Sequence, residues 1–335
     1  MAKAHTTIRG APLPLFAQGE DEPPASAYVR ANAPRLQRWA ERGIFFGSSS
    51  WKYPGWKGIV YNRHYPSQRA FEQTCIAEYA TVFPTVCADF ALYDFPGARL
   101  LQAIYEATPE EFTVSFKVTD RITVQRYPKL PRYGANAGQD NPDFLNATLF
   151  EDAFLRPLET LKQKRGAVIF EFSTFSPASG ITAAVFLDVL GKFLAGLPGG
   201  FAFCVEIRNR EFLTAEYLAM LASYGVAHVL NNWTRMPPVI EQIRMRNVLP
   251  ASFTVVRALL KPGRTYREAV ERFQPYESLK EENPELRLGL AETVTRCVAA
   301  GKKAYVYVNN RAEGNSPKTI EAILDILDSY PVEKL

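Results

Sequence analysis

The chain has 335 residues, of which 47% are hydrophobic and 22% are charged, a composition that excludes an intrinsically disordered protein. At roughly 150 residues per domain, this length allows two domains or one large α/β barrel. The 39 basic and 35 acidic residues leave a net charge of +4, so no strongly basic domain marks the chain as a nucleic-acid binder.

The cysteines and the N-terminal residues indicate a cytoplasmic protein. The four cysteines lie far apart without a C-x-x-C pair, which predicts reduced thiols, mostly buried. The first residues contain no sustained apolar segment, so we predict no signal peptide. The longest apolar region, 183–205, is interrupted by Asp188, Lys192, Pro198 and two glycines, so it does not predict a membrane span.

Residues 1–43 are predicted to form an N-terminal extension. Residues 1–32 are rich in proline, alanine and charge and have no hydrophobic periodicity, so we expect a tail. A short helix is expected over Pro34–Arg42, ending at Gly43. We interpret residues 44–335 as one domain.

From Ile44 onward, a short apolar run, a loop and a helical segment recur eight times. The predicted strands are Ile44–Ser48, Thr85–Phe90, Phe112–Val118, Ala167–Phe172, Ala202–Ile207, Ala227–Asn231, Phe253–Leu259 and Lys303–Val308. The predicted helices are Ser67–Ala80, Ala98–Ala107, Phe150–Lys164, Ala183–Leu197, Thr214–Ser223, Val239–Arg246, Leu286–Ala300 and Pro317–Ser329. Near-continuous apolar strands alternating with helices indicate a parallel sheet covered on both faces, and eight such units predict a single (β/α)8 TIM-type barrel. The alternative is a doubly wound open sheet, which would leave edges and usually has a glycine-rich first turn that this chain lacks.

Two loops are longer than compact connections usually are. One runs from Asp120 to Asp143 after the third strand, and the other from Lys261 to Glu285 after the seventh. Both leave the carboxyl ends of strands, where the active sites of barrels are built.

Polar residues at the carboxyl ends of the predicted strands should converge on one mouth of the barrel. They are Ser48, Ser49, Ser50, Asp89, Lys117, Glu171, Glu206, Arg208, Asn231, Asn232, Arg257, Asn309 and Asn310. Glu206 and Arg208 are two residues apart and therefore face the same side of their strand. Any one pair could be a structural ion pair, but so many polar strand ends together favour a ligand site.

The charges at the mouth indicate a small anionic ligand. Arg208 and Arg257 can each hold a carboxylate or phosphate through two parallel hydrogen bonds. Asn309 and Asn310 are predicted to contribute to the same binding site. Ser316 is predicted to cap the last helix, and free N–H groups there would face an anion; an ordinary capped helix is the alternative.

Three residues are candidates for catalysis. Glu206 is the strongest candidate for a general acid or base, and Asp89 is a second carboxylate at the mouth. Lys117 could form a Schiff base with a carbonyl substrate, although an anion contact or a pair with Asp89 is the simpler role.

The sequence requires no cofactor, but Asp89, Glu171 and Glu206 could hold Mg²⁺ or Mn²⁺. A zinc site is not expected, because the chain has only three histidines.

An aromatic segment follows the first strand. Trp51, Tyr53, Trp56 and the later Tyr93 could stack on a sugar or a base, or the segment could pack as a hydrophobic lid on the barrel rim.

Basic residues of the long loops could follow nucleic-acid phosphates, or form a solvated surface. They are Arg121, Arg126, Lys129, Arg132, Lys261, Arg264 and Arg267. The chain has no G-x-G-x-x-G, P-loop, H-E-x-x-H or G-x-S-x-G motif, which argues against the enzyme classes that these motifs mark.

Five segments resemble the DUF72 (YecE-like) family, in that family's order. They are GSSSWKYPGWKGIVY at 47–61, FPTVCADFALYDFP at 83–96, FTVSFKVTDRIT at 112–123, FAFCVEIRNREF at 201–212 and AYVYVNNRAEGNSP at 304–317. The resemblance implies a TIM-type barrel and no established activity. The positions that match the family pattern include Lys117, Glu206, Arg208, Arg257, Asn309 and Asn310.

The chain also departs from the family pattern, which indicates a divergent member with altered specificity. The differing positions are Cys87 and Asp89 in place of a Glu and an Asn, Val124 in place of a His, Glu171 and Ser173 in place of a Gln and a Pro, and Phe212 in place of a Trp.

The sequence leaves three functions open. The first is an enzyme, a hydrolase, lyase or isomerase, that uses acid–base chemistry on a small phosphorylated or carbohydrate-like anion. The second is a nucleic-acid-processing protein, either a metal-dependent nuclease or a single-strand binder. The third is a non-catalytic binding protein built on a barrel.

Overall fold

The computed structural model of the chain describes residues 24–89 and 95–329. Its strands are β1 (Ile44–Ser49), β2 (Thr85–Ala88), β3 (Thr113–Lys117), β4 (Arg165–Phe172), β5 (Ala202–Ile207), β6 (Ala227–Asn231), β7 (Phe253–Ala258) and β8 (Lys303–Val308). Each strand pairs in parallel with its neighbour in sequence, and β8 pairs with β1, so the sheet closes into a barrel. This confirms the predicted (β/α)8 barrel and rules out the open sheet.

Helices alternate with the strands around the outside of the barrel. They are α1 (Ala27–Glu41), α2 (Gln68–Tyr79), α3 (Ala98–Ala107), α4 (Asp120–Thr123), α5 (Ala147–Phe150), α6 (Arg156–Leu158), α7 (Ala183–Ala195), α8 (Ala215–Ser223), α9 (Val239–Arg244), α10 (Tyr266–Phe273), α11 (Pro284–Ala299) and α12 (Ser316–Ser329). Within the described part of the chain, no helix is long and apolar enough to cross a membrane.

Successive strand residues contribute to two separate cores. One core fills the inside of the barrel and includes Cys87, Ile169, Cys204, Val229, Val255, Tyr305 and Tyr307. The other lies between the sheet and the helices. Because both faces of each strand are buried, the strands are apolar almost throughout, and this made all eight predictable. The four cysteines are buried and free, as predicted for most of them.

Two predicted helices differ from the observed ones. The first begins at Ala27 rather than Pro34, because Ser26 caps it by accepting a 3.0 Å hydrogen bond from the N–H of Val29. The segment predicted as one helix over 150–164 is divided into short α-, π- and 3₁₀-helical pieces. Pro157, which has no N–H to donate, lies in its middle, and Lys162 has a φ of 48°.

The loop predicted over 261–285 contains a helix, α10. Its N-terminus is a capping box, in which Thr265 accepts from the N–H of Glu268 and the Glu268 side chain accepts from the N–H of Thr265. This T-x-x-E pattern is visible in the sequence and would have predicted the helix.

The predicted cap of the last helix is wrong by one residue. Asn315, not Ser316, is the N-cap, because its side-chain oxygen accepts a 3.0 Å hydrogen bond from the N–H of Lys318. The Nδ2 of Asn315 also donates to the carbonyl of Tyr276 at 2.8 Å, which joins the loops after β7 and β8.

We expect Asn315→Ala to lower the free energy of unfolding by about 1–2 kcal/mol, because it removes both hydrogen bonds. Asn315→Ser keeps a short side chain that can accept at the N-cap, so its free energy of unfolding should fall by about half as much. Urea denaturation measures both variants. Equal losses would show that the cap does not contribute.

Candidate functional site

Charged side chains meet at the carboxyl ends of the strands, as predicted. The mouth cluster consists of Asp89, Lys117, Glu171, Glu206, Arg208 and Arg257. All except Asp89 are buried; the side chain of Asp89 is 31% exposed. Burying charges costs free energy unless each one has a partner, so the pairing pattern defines what the cluster can do.

Glu171 lies at the centre of the mouth cluster. Its carboxylate is 2.8 Å from Lys117 Nζ, 2.7 Å from Arg208 Nη2 and 2.8 Å from Arg257 Nη1. Burial alone would raise the pKa of Glu171, but Arg208, Lys117 and Arg257 together hold it well below its usual range. The sequence predicts Glu171 at the mouth and as a candidate metal ligand, but not as the residue that holds three cations.

Glu206 is paired with two arginines, including the predicted partner Arg208. Its Oε1 accepts from Nη2 and Nε of Arg208 at 3.1 and 3.3 Å, and its Oε2 accepts from Nη1 of Arg257 at 2.6 Å. Glu206 is fully buried and lies beside Glu171 in the register of β4 and β5. This arrangement favours a role in positioning the arginines over direct proton exchange with a substrate.

Arg257 links the carboxylates of the mouth cluster. Its Nη1 donates to Glu171 and Glu206, whereas its Nη2 lies 3.5 Å from Oδ1 of Asp89. Its Nε is buried and has no hydrogen-bond partner among the described residues. The Nε and Nη2 atoms form one edge of the guanidinium group, and such an edge can hold two oxygens of a phosphate or carboxylate.

Lys117 pairs with Glu171 and not with Asp89, the partner considered from the sequence. An ammonium group held in an ion pair offers no lone pair for Schiff-base formation, so this role has little support. Asp120 is a second carboxylate near Lys117, and it accepts a 2.5 Å hydrogen bond from the hydroxyl of Tyr133. Burial raises the pKa of Asp120, and Lys117 opposes this rise. Asp120 is not predictable as a site residue from the sequence, where it marks only the start of the long loop after β3.

The carboxylates of the mouth cluster are not arranged as a metal site. Nη1 of Arg257 lies between Glu171 and Glu206, at 2.8 and 2.6 Å from their oxygens, where a shared cation would have to be. Within residues 24–89 and 95–329, no group of three or more His, Cys, Asp or Glu side chains is placed to hold a metal ion. The residues therefore do not fit the Mg²⁺ or Mn²⁺ that the sequence left open.

The asparagines after β8 make hydrogen bonds within the protein. Oδ1 of Asn310 accepts from the indole N–H of Trp56 at 3.2 Å and from the N–H of Ser316 at 2.7 Å. Oδ1 of Asn309 accepts from the N–H of Arg311 at 3.0 Å. Because the N–H groups of Ser316 and Lys318 are both bonded, the start of α12 does not offer them to an anion.

The aromatic segment after β1 packs largely as the predicted lid. Trp51 and Trp56 are buried in the core at the barrel rim. Tyr53 is only partly buried and remains a candidate for stacking, with its hydroxyl 3.3 Å from the carbonyl of Ser49. Tyr93 lies outside the described residues.

Most of the basic loop residues are neutralised by acidic neighbours. The pairs are Arg121–Asp143 at 2.7 Å, Arg126–Asp140 at 2.9 Å, Lys261–Glu281 and Arg264–Glu281 at 2.9 Å, and Arg267–Glu271 at 3.0 Å. These pairs weaken the case for loops that follow a phosphate backbone.

The fold and the mouth cluster define a (β/α)8 barrel protein with a charged candidate site at the carboxyl ends of its strands. The family model for DUF72, a protein of unknown function, matches residues 45–334, and the chain belongs to this family. This confirms the resemblance seen in the sequence.

Solved structures of DUF72 family proteins share the fold. One such structure, from Enterococcus faecalis V583, is 17% identical in sequence to this chain and superposes on it with a TM-score of 0.58. The alignment covers 86% of this chain and 97% of that one. A DUF72 family protein from Thermotoga maritima MSB8 is 18% identical in sequence to this chain and superposes on it with a TM-score of 0.56. The alignment covers 85% of this chain and 98% of that one. At these identities the likeness shows the fold alone. No protein of curated function matches the chain.

Proposed function

We propose that the protein is an enzyme that uses carboxylate acid–base chemistry on a small anionic substrate held by Arg257. The observation that carries this proposal is the Nε–Nη2 edge of Arg257. Nε is buried without a hydrogen-bond partner in the described part of the chain, and Nη2 lies at the long distance of 3.5 Å from Oδ1 of Asp89. Leaving a buried charged donor unpaired is costly, and two oxygens of a bound anion would satisfy this edge.

Asp89 is the residue of the mouth cluster best placed to exchange a proton with such a substrate. It is the most exposed carboxylate of the cluster, and it lies next to the edge that would hold the anion. Glu171 and Glu206 then act as positioning residues that fix Arg208 and Arg257. Arg208 also stacks on Trp233, 3.7 Å from the ring centroid, which holds it at the mouth.

Hydrolysis, elimination and isomerisation all use a carboxylate in this way, so the proposal covers these three reaction classes. The buried free cysteines fit a reducing compartment, and we include a cytoplasmic location in the proposal. The nucleic-acid alternative has less support, because the loop cations are paired and the aromatic lid is largely buried.

The proposal predicts that inorganic phosphate binds the protein and that Asp89→Asn binds it more tightly. Removing a negative charge 3.5 Å from Nη2 of Arg257 should favour the anion by about 1 kcal/mol, or roughly fivefold. Isothermal titration calorimetry at constant ionic strength, with chloride replacing phosphate in the blank, measures both affinities.

Asp325→Asn is the matched control, because this exposed aspartate pairs with Arg35 on the outside of the barrel. It should leave the phosphate affinity unchanged. Arg257→Lys keeps the charge but loses the two-donor edge, and should weaken binding at least about tenfold. Circular dichroism checks that each variant is folded. A wild-type protein that binds neither phosphate nor sulfate would overturn the proposal.

A further inference from the structure

We propose that the anionic substrate carries a planar ring, and that Arg311 and the tyrosines around it bind this ring beside Asp89. The inference rests on the proposed function for the anion at Arg257. It adds the chemical class of the group to which that anion is attached.

Arg311 is a further cation at the mouth, beyond those predicted from the strand ends. It follows β8 by three residues, and its guanidinium carbon lies 4.6 Å from the ring centroid of Tyr266. Its Nε is buried and has no hydrogen-bond partner among the residues that the structure describes. Tyr266 is 54% exposed, so much of its surface is open to a ligand.

Two further tyrosines connect Arg311 to Asp89. The rings of Tyr53 and Tyr276 meet edge to face at 5.6 Å. The hydroxyl of Tyr53 donates to the carbonyl of Ser49 at 3.3 Å, and Ser49 pairs with Cys87, two residues before Asp89. Tyr276 packs in one apolar cluster with Phe273 of α10, the helix that begins at Tyr266 beside Arg311. The tyrosines therefore form an aromatic wall between Arg311 and the carboxylate proposed to transfer the proton.

This aromatic wall is held in place without a ligand. A Cβ atom on Gly55 would lie 2.2 Å from the carbonyl oxygen of Pro275, so the loops after β1 and β7 touch where only glycine fits. The bond from Asn315 to the carbonyl of Tyr276 fixes the loop after β8 to the same segment. A preformed wall costs little ordering free energy when a ligand binds.

The chemistry of the wall selects a planar ring. Aromatic rings stack on tyrosine and on guanidinium planes, and each such contact strengthens binding by about two- to tenfold beyond the effect of the area that it buries. A bare phosphate at Arg257 makes none of these contacts. A phosphate or carboxylate attached to a planar ring should therefore bind more tightly than inorganic phosphate.

The test compares phenyl phosphate with inorganic phosphate by isothermal titration calorimetry on the full chain. We expect the wild type to bind phenyl phosphate at least about tenfold more tightly. Tyr266→Ala removes an exposed ring and should reduce this preference to about threefold or less, with the affinity for inorganic phosphate unchanged. Arg311→Lys keeps the positive charge but removes the planar guanidinium group, so it should also reduce the preference for phenyl phosphate. Arg267→Ala is the matched control, because this neighbouring arginine pairs with Glu271.

Each outcome decides the inference. A preference that is lost in Tyr266→Ala and Arg311→Lys, but kept in Arg267→Ala, supports it. If inorganic phosphate binds and phenyl phosphate binds no more tightly, or if the preference survives either wall variant or is lost in Arg267→Ala as well, the inference is overturned and the proposed function stands. If neither anion binds, the proposed function itself fails.

Discussion

Replacing Glu206 with alanine is expected to lower the free energy of unfolding by about 3–5 kcal/mol, because two buried arginines then lose one of the two carboxylates that they share, and Glu171 remains to balance them. Arg257 loses its 2.6 Å partner and Arg208 loses both of its bonds to this carboxylate. Removing one partner of a buried ion pair costs more than the pair contributes, since the remaining charge stays out of water. Glu206→Gln preserves the shape of the side chain and one hydrogen-bond acceptor. Its free energy of unfolding should therefore fall by about half as much.

Glu292 provides the matched control for this prediction. It also pairs with two arginines, Arg244 at 2.7 Å and Arg296 at 2.8 Å, but those arginine side chains are 61% and 46% exposed. Water solvates both arginines after Glu292→Ala, so the free energy of unfolding of that variant should fall by less than about 1 kcal/mol. Urea denaturation followed by circular dichroism measures all three. A loss in Glu206→Ala as small as in Glu292→Ala would show that the mouth cluster contributes little to stability.

The order of the strands was predictable from the sequence because burial on both faces leaves a local pattern. Each strand is a short apolar run, and the closed barrel follows from the number of runs. The breaks within 150–164 were not predictable from hydrophobic periodicity, since Pro157 and the left-handed Lys162 interrupt a pattern that otherwise continues. The start of α1 was misplaced because Pro34 resembles a first helical residue, whereas Ser26 supplies the cap.

The members of the mouth cluster were predictable, but their partners were not. The ends of parallel strands meet at one mouth, so Lys117, Glu206 and Arg257 could be placed there from their positions in the chain. Which carboxylate each cation contacts depends on side-chain length and on the register of neighbouring strands. Glu171 and Glu206 lie opposite each other in β4 and β5, and this juxtaposition lets Arg257 reach both. Arg311 was missed because it lies past the end of its strand, on a loop whose path the sequence does not fix.

Acidification from pH 7 to pH 5 is expected to lower the free energy of unfolding by about 2 kcal/mol through His228 alone. This histidine is fully buried on β6, where its Nδ1 lies 3.2 Å from the hydroxyl of Tyr217 and its Nε2 has no partner among the described residues. Burial lowers its pKa from 6.5 to about 4. Between these two values the unfolded chain binds a proton that the folded protein does not, so stability falls as the pH falls.

Glu171, at the centre of the mouth cluster, does not obscure this window. The depressed pKa of Glu171 gives stability that is lost only as the pH falls below the ordinary range of a glutamate, about 4.3. We therefore expect His228→Gln to flatten the dependence between pH 7 and pH 5 and to leave the steeper loss at lower pH. His64→Gln, at an exposed position, is the control and should keep the slope of the wild type. Urea denaturation at closely spaced pH values measures the slopes, and equal slopes in wild type and His228→Gln would contradict the assignment.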